Sequence, residues 1–178
     1  MSQIVKIENY NLNWESEFYH LRSVIGSAIG PLILSIEHVG STSVKGLAAK
    51  PIIDIDVVIA DDQNLSDVIQ GLEKIGYFHQ EEWSFAGREA FGRKNAFVPW
   101  ERKNTNWMEH HLYVCNIGSK ELARHLAFRD YLREHPEAAK EYEELKKDLA
   151  KISKERSEYT LGKTQFVNKI LEKTMKLY

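Results

Sequence analysis

Two aspartates, Asp54 and Asp56, stand two residues apart inside an apolar run. Side chains i and i+2 of a strand point to the same face, roughly 6.5–7 Å apart along the chain, so both carboxylates can reach one hard cation. Burying two like charges without a counterion costs several kcal/mol, and a purely structural strand would avoid this pattern. The sequence therefore predicts a metal site at Asp54 and Asp56, with Mg²⁺ or Mn²⁺ as the ion.

A Gly-Ser turn lies upstream of the aspartates, at the end of another apolar run. Gly40 would let the backbone approach a triphosphate, and Ser41 or Thr42 would donate hydrogen bonds to it. A Gly-Ser pair or a D-x-D motif alone is a weak signal, but a strand, a Gly-Ser turn and a D-x-D strand in this order indicate nucleotidyl transfer. In that chemistry, two metal ions about 3.5–4 Å apart activate the attacking oxygen and steady the leaving pyrophosphate.

The elements that must position these residues follow from hydrophobic periodicity. The spacing predicts an opening helix, a buried strand before Gly40, a second strand with the aspartates, and a helix that Gly76 ends. Short strands and loops should follow, then a strand from Met108 to Cys115, and after Ser119 the chain should be helical. We expect an α+β fold in which residues 1–118 form a small mixed sheet flanked by helices. Residues 119–178 should pack beside it and leave a cleft for the ligand.

Further site candidates come from the strand near position 110 and from isolated basic residues. Glu109 is the candidate for a third carboxylate or for the base that takes the acceptor's proton, and His111, on the same face, is the alternative ligand or base. An exposed strand end is the structural alternative for Glu109. The basic candidates for triphosphate contacts, each equally explicable as a solvated surface charge, are Lys50, Arg93, Lys94 and Lys163.

The charge and composition of the chain indicate which partners and which cellular compartment to expect. A net charge of -2 disfavours duplex nucleic acid as a partner. No apolar run is long enough to span a bilayer, and the first residues lack a signal peptide's apolar stretch. The single cysteine, Cys115, cannot form an internal disulfide and fits a reducing compartment. We therefore expect a cytoplasmic protein whose partner is a nucleoside triphosphate or a related phosphorylated small molecule.

Two separated blocks of the chain resemble the GrpB family. The first runs from His38 to Ser43 and continues through Gly46-Leu47 and Ala49 to Ile55, and the second begins at Phe128-Arg129-Asp130-Tyr131. This resemblance implies a polymerase-β-like nucleotidyltransferase fold in which the Gly-Ser turn and the D-x-D pair hold a metal-bound nucleotide. Such domains also occur fused behind dephospho-CoA kinases. The chain departs from the family at Tyr113, where a histidine is expected, and this departure affects catalysis more than binding.

Three functions therefore compete. The leading one is Mg²⁺-dependent transfer of a nucleoside monophosphate from a triphosphate to an unknown acceptor. The second is a non-catalytic module of the same fold that binds a nucleotide or a CoA-related ligand. The third is a D-x-D glycosyltransferase, against which the upstream Gly-Ser turn argues.

Overall fold

The computed structural model describes residues 5–175, so the predictions made above for the first four residues and for the last three lie outside it. Within this range five strands form one sheet in the order β1-β2-β5-β4-β3. The strands are β1 (Ser35–Val39), β2 (Ile53–Ile59), β3 (Tyr77–His79), β4 (Arg88–Arg93) and β5 (His110–Asn116). Only the β2–β5 pair is parallel, and the other three pairs are antiparallel, so the sheet is mixed as expected.

In the described part of the chain, six α-helices pack around the sheet. They are α1 (Asn13–Ile29), α2 (Leu65–Lys74), α3 (Lys120–Glu134), α4 (Pro136–Ile152), α5 (Arg156–Gly162) and α6 (Thr164–Met175). Ser119 caps α3 through its side chain, as its residue type predicted, because its hydroxyl accepts the Leu122 amide hydrogen at 3.1 Å. No described helix is both long and apolar enough to cross a membrane.

The two faces of the sheet have different roles. Ile53, Ile55 and Val57 of β2 are completely buried in the main core, against α1 and α2. The alternate residues Asp54 and Asp56 therefore project from the opposite face, toward the C-terminal helices. A second apolar cluster, which joins Val44 and Leu47 to residues of α3, α4 and α6, fastens those helices to the loop after β1. This division leaves a polar cavity between the aspartate face of the sheet and the C-terminal helices.

Candidate active site

The two aspartates lie side by side on β2, and each is held by a histidine. Nδ1–H of His111 donates to Oδ1 of Asp54 at 2.9 Å, and Nδ1–H of His125, on α3, donates to Oδ2 of Asp56 at 2.7 Å. The parallel pairing of β2 with β5 sets His111 opposite Asp54. Asp56 is fully buried, and its Oδ1 has no hydrogen-bond partner among the described residues. A buried carboxylate oxygen without a partner is costly, which indicates that it is kept for a ligand.

The Gly-Ser turn packs directly against the first aspartate. Gly40 has φ 71° and ψ -176°, a conformation that residues with a side chain rarely adopt. A Cβ atom at this position would overlap Oδ2 of Asp54. The residue is therefore glycine for two reasons, the backbone conformation and the close approach of the carboxylate. After it, Ser41–Ser43 form a short 3₁₀ turn at the edge of the cavity.

The hydroxyl of Thr42 is committed to the protein itself. It donates to the carbonyl oxygen of Ile52 at 3.2 Å and accepts from Nε2 of His38 at 2.9 Å. Ser43 is similarly engaged, because its hydroxyl donates to the carbonyl oxygen of Gly40 at 2.5 Å. These bonds fix the shape of the turn. They leave Ser41, among the turn hydroxyls, as the candidate for a side-chain contact with phosphate.

A cavity of about 480 Å³ is lined by Asp54 and by a basic wall, while Asp56 is buried next to Asp54 on β2. Lys50, at the end of the loop before β2, and Lys163, between α5 and α6, both lie on the ring of Tyr159, at 4.3 and 4.5 Å from its centroid. Lys146 and Arg156 complete this wall. One side of the cavity is thus acidic and the opposite side basic, a distribution that suits a metal-bound polyphosphate.

Burial and the neighbouring positive charges lower the pKa of two lysines in the basic wall. Burial lowers the pKa of Lys163 to about 8, and the charges of Lys50 and Arg156 contribute. Burial also lowers the pKa of Lys146 to about 7, again with help from neighbouring lysines. Nζ of Lys146 donates to the carbonyl oxygen of Ala48 at 2.5 Å, and the residue is only 2% exposed. A bound anion would relieve this mutual repulsion.

Several predicted site residues line the cavity, namely Asp54, the Gly-Ser turn with Thr42, His111, Lys50 and Lys163. Asp56 is fully buried and does not line it, but it is bonded to the cavity residue His125. The other three predicted residues lie elsewhere. Glu109 is instead an exposed residue just before β5, where Oε2 accepts from Nη2 of Arg93 at 2.6 Å. Lys94 lies 5.3 Å from the ring centroid of Trp100.

Arg93 lies away from the aspartates because of the way β4 pairs with β5. Phe91 pairs with Leu112 in the main core, so two residues further along β4 Arg93 lies on that same face, away from the aspartates. The interpretations of Glu109 as a third carboxylate, and of Arg93 and Lys94 as triphosphate contacts, are not supported by this placement.

Sequence reasoning missed other cavity residues. They are Arg88, Glu121, Arg124, His125, Lys146 and Arg156. The charge-rich composition of the segment from Lys140 to Lys154 is typical of a solvated helix face, but Lys146 on it is buried beneath the Ala48 loop. The sequence does contain a pattern that points to His125, because His125 and Glu121 stand four residues apart and so share one helix face.

The residues present could hold Mg²⁺ only if a bound substrate supplied some of the remaining ligands. Among residues 5–175, no three His, Cys, Asp or Glu side chains are grouped so that they could hold a metal ion. Mg²⁺ commonly uses one or two carboxylates and takes its remaining ligands from phosphates and water. The Asp54–Asp56 pair, with the unpartnered Oδ1 of Asp56, matches that arrangement. His111 uses Nδ1 for Asp54, and nitrogen is not a ligand that Mg²⁺ prefers.

Comparison with known proteins identifies the family. The family model described as "GrpB protein" matches residues 4–173. This chain belongs to the GrpB family. The glutamate-rich protein GrpB of Alkalihalophilus pseudofirmus is 36% identical over 172 residues, with 94% of each chain covered. Protein YqkA of Bacillus subtilis is 35% identical over 164 residues, which cover 92% of this chain and 45% of YqkA. The chain thus spans less than half of YqkA.

Solved structures confirm the fold expected from the resemblance. The crystal structure of GrpB from Enterococcus faecalis superposes with a TM-score of 0.78 at 33% identity, covering 97% of this chain and 99% of that one. Cid1 in complex with the UTP analogue UMPNPP superposes with a TM-score of 0.53 at 14% identity, covering 88% of this chain and 48% of Cid1. At that identity the similarity to Cid1 establishes the fold alone, which is nucleotidyltransferase-like.

Proposed function

We propose that this protein binds a nucleoside triphosphate with Mg²⁺ and transfers its nucleoside monophosphate to an acceptor. The observation that carries the proposal is one cavity with three parts. Asp54 of β2 lies beside the glycine turn with the buried Asp56 next to it, and the basic wall of Lys50, Lys146, Arg156 and Lys163 lines the same cavity as Asp54. The similarity of the fold to Cid1, whose structure holds a UTP analogue, supports the same reading.

Each aspartate has one oxygen held by its histidine and a second oxygen without a hydrogen-bond partner among the described residues, and the second oxygen of Asp56 is buried. Oδ1 of Asp54 and Oδ2 of Asp56 accept from the histidines, which leaves Oδ2 of Asp54 beside Gly40 and Oδ1 of Asp56 unpartnered. These two oxygens would hold the ion. When bound there, Mg²⁺ would neutralise charge on the phosphates and on the leaving pyrophosphate.

The basic wall would bind the phosphates that are not transferred. Lys50 and Lys163 both contact the Tyr159 ring, which helps to fix the position of each ammonium group. Burial and then the positive charges nearby, Arg156 among them, lower the pKa of both lysines, and a bound polyphosphate would offset that repulsion and raise the two pKa values again. The wall thus positions the leaving group and stabilises its charge.

His111 is better placed than Glu109 to take the proton from the acceptor. Asp54 accepts from Nδ1–H of His111, so the neutral ring has an unprotonated Nε2, and His111 lines the cavity. In the step we propose, an acceptor hydroxyl oxygen bonds to the α-phosphorus and gives its proton to Nε2. The bond between the α-phosphorus and the bridging oxygen breaks, and pyrophosphate leaves with that electron pair.

Thermal unfolding tests the nucleotide site. Wild type and the double variant Asp54→Asn/Asp56→Asn are heated with ATP, GTP, CTP or UTP, each with and without Mg²⁺. A ligand at a hundred times its dissociation constant stabilises the folded state by about 2.7 kcal/mol, which should raise the midpoint by roughly 5–11 °C. We expect that rise only in wild type and only with Mg²⁺. Glu109→Gln is the control carboxylate variant and should respond like wild type. A rise without metal contradicts the proposal.

A second candidate is a nucleotide- or CoA-related binding module without turnover. It is favoured by one observation, that no third carboxylate joins the aspartates in a metal-binding group within the described part of the chain. Pyrophosphate release separates the two functions. Transfer predicts metal-dependent release that falls at least tenfold in His111→Gln while binding persists. Tight metal-dependent binding without release, across a broad panel of acceptors that includes water, favours the module.

A further inference from the structure

A second cavity, larger than the nucleotide cavity, takes no part in the proposed reaction. It measures about 810 Å³ and lies between α1, β1 and the junction of α3 with α4. Thr42 lines both this cavity and the nucleotide cavity, so the Ser41–Ser43 turn forms the partition between them. The wall is partly apolar, through residues such as Phe18 and Leu132. We call this space the rear cavity.

The charges that line the rear cavity are mainly positive. Five basic residues contribute to it, namely Arg22, Lys45, Arg129, Arg133 and Lys140, against three glutamates, Glu15, Glu37 and Glu143. Glu37 accepts from Arg129 at 2.9 Å, and Glu143 pairs with Lys147 outside the cavity at 2.5 Å. Two of the three carboxylates are therefore neutralised locally, while Arg22, Lys45 and Lys140 are exposed.

Arg133 brings a positive charge onto the partition itself. Its Nε and Nη2 both donate to the carbonyl oxygen of Ser43, at 3.1 and 2.8 Å. Burial, followed by the charge of Arg129, lowers the pKa of Arg133. Arg129 is compensated by Glu37 and Asp130, at 2.9 and 2.8 Å, whereas Arg133 has only the longer contact with Asp130, at 3.9 Å. Arg133 is therefore the guanidinium group that would attract a further anion.

His38 adds a hydrogen-bond acceptor. The Thr42 hydroxyl gives its one proton to Ile52, so Nε2 of His38 must be the donor to Thr42, and Nδ1 carries a lone pair. The ring is stacked on Phe18 at 4.6 Å between centroids, which fixes its orientation. Burial lowers the pKa of His38 to about 4, and the charges of Arg133 and Arg129 add to this effect. The histidine is therefore neutral at pH 7 and able to accept from a ligand hydroxyl.

We propose that the rear cavity is a second ligand site, for a small anion that carries a hydroxyl group. The anionic group, a phosphate or a carboxylate, binds at Arg133 with Arg22 and Lys140 around it, and the hydroxyl donates to Nδ1 of His38. The ligand would lie directly behind the Ser41–Ser43 turn. The site does not depend on the proposed transferase activity, because none of its charged residues lines the nucleotide cavity.

Calorimetric titration of the full chain tests the site with two probes of equal carbon number. Glycerol 3-phosphate and glycerate both carry a hydroxyl, and they distinguish a phosphate from a carboxylate. We expect saturable binding of at least one probe to wild type. Binding should weaken about tenfold in Arg22→Glu/Lys140→Glu, because this variant reverses two exposed charges of the rear cavity. Binding should be unchanged in Lys50→Met/Lys163→Met, because this variant alters only the nucleotide cavity.

Three results would overturn the proposal. The first is an absence of saturable binding of either probe to wild type at millimolar concentration. The second is the reverse pattern, in which the Lys50→Met/Lys163→Met variant loses binding and Arg22→Glu/Lys140→Glu keeps it, since the anion would then occupy the nucleotide cavity. Imidazole nitrogen resonances provide an independent readout, because probe binding should shift Nδ1 of His38 in wild type. An unshifted His38 resonance under saturating probe would also contradict the proposal.

Discussion

Replacing Gly40 with alanine should damage the candidate active site more than the fold. The glycine conformation, φ 71° and ψ -176°, costs other residues about 1–3 kcal/mol. The new methyl group would also overlap Oδ2 of Asp54, so the carboxylate must turn away from Nδ1 of His111, now at 2.9 Å. That hydrogen bond is about one-third exposed, and we discount it to about 1 kcal/mol. The total loss of unfolding free energy is about 2–4 kcal/mol.

Gly46→Ala is the matched control. Gly46 also has positive φ, 84°, but a Cβ there would meet no heavy atom within 4 Å. It should lose only the strain, about 1–2 kcal/mol. Urea denaturation measures both losses, and calorimetry measures binding of ATP with Mg²⁺. We expect Gly40→Ala to bind at least tenfold more weakly than wild type at a temperature where it is folded, and Gly46→Ala to bind normally. Equal losses of stability and binding in the two variants would refute the reasoning.

Three further predictions test the charges around the cavity. Lys146 has a pKa of about 7 in the folded protein against its ordinary 10.5, so between these two pH values the unfolded chain binds more protons than the folded one. The free energy of unfolding should therefore rise with pH over this range. In urea denaturation Lys146→Met should flatten that rise, and an unchanged slope would contradict the burial of Lys146. Burial lowers the pKa of His125, but the hydrogen bond and charge of Asp56, with the charges of Glu121 and Asp54, outweigh it and raise the net value. Asp56→Asn should therefore lower the pKa of His125 in an NMR titration, and an unchanged pKa would contradict the role of Asp56. Glu109→Gln should change the unfolding free energy by less than about 1 kcal/mol, because Glu109 in its ion pair with Arg93 is exposed. Nucleotide binding should stay intact, and a loss of binding would show that Glu109 belongs to the site.

The sequence predicted the parts of the site that depend on local pattern. Alternation alone placed Asp54 and Asp56 on one face of β2, and a glycine after an apolar run placed the turn at Gly40. These predictions needed no knowledge of which strands are neighbours. The same is true of the Ser119 cap, which is set by residues within one helical turn.

The remainder of the site depends on which elements meet in space. Lys146 lies in a charge-rich helix whose composition predicts solvation, and only the packing of α4 on the Ala48 loop buries it. Glu109 and His111 share a face by alternation, but the pairing of β4 with β5 supplies Arg93 as a partner for Glu109. The α5 segment, with Arg156 and Tyr159, carries no clear apolar period and was not predicted as a separate helix.

The most direct test of the central claim is a calorimetric titration of the wild-type protein with ATP, first with Mg²⁺ and then with a chelator. The account predicts saturable binding with Mg²⁺ and at least tenfold weaker binding with the chelator, because the aspartate pair repels phosphate unless a cation lies between them. In Asp54→Asn/Asp56→Asn the difference between the two conditions should disappear. Equal affinity of the wild-type protein with and without Mg²⁺ would contradict the assignment of Asp54 and Asp56 as the metal-holding pair.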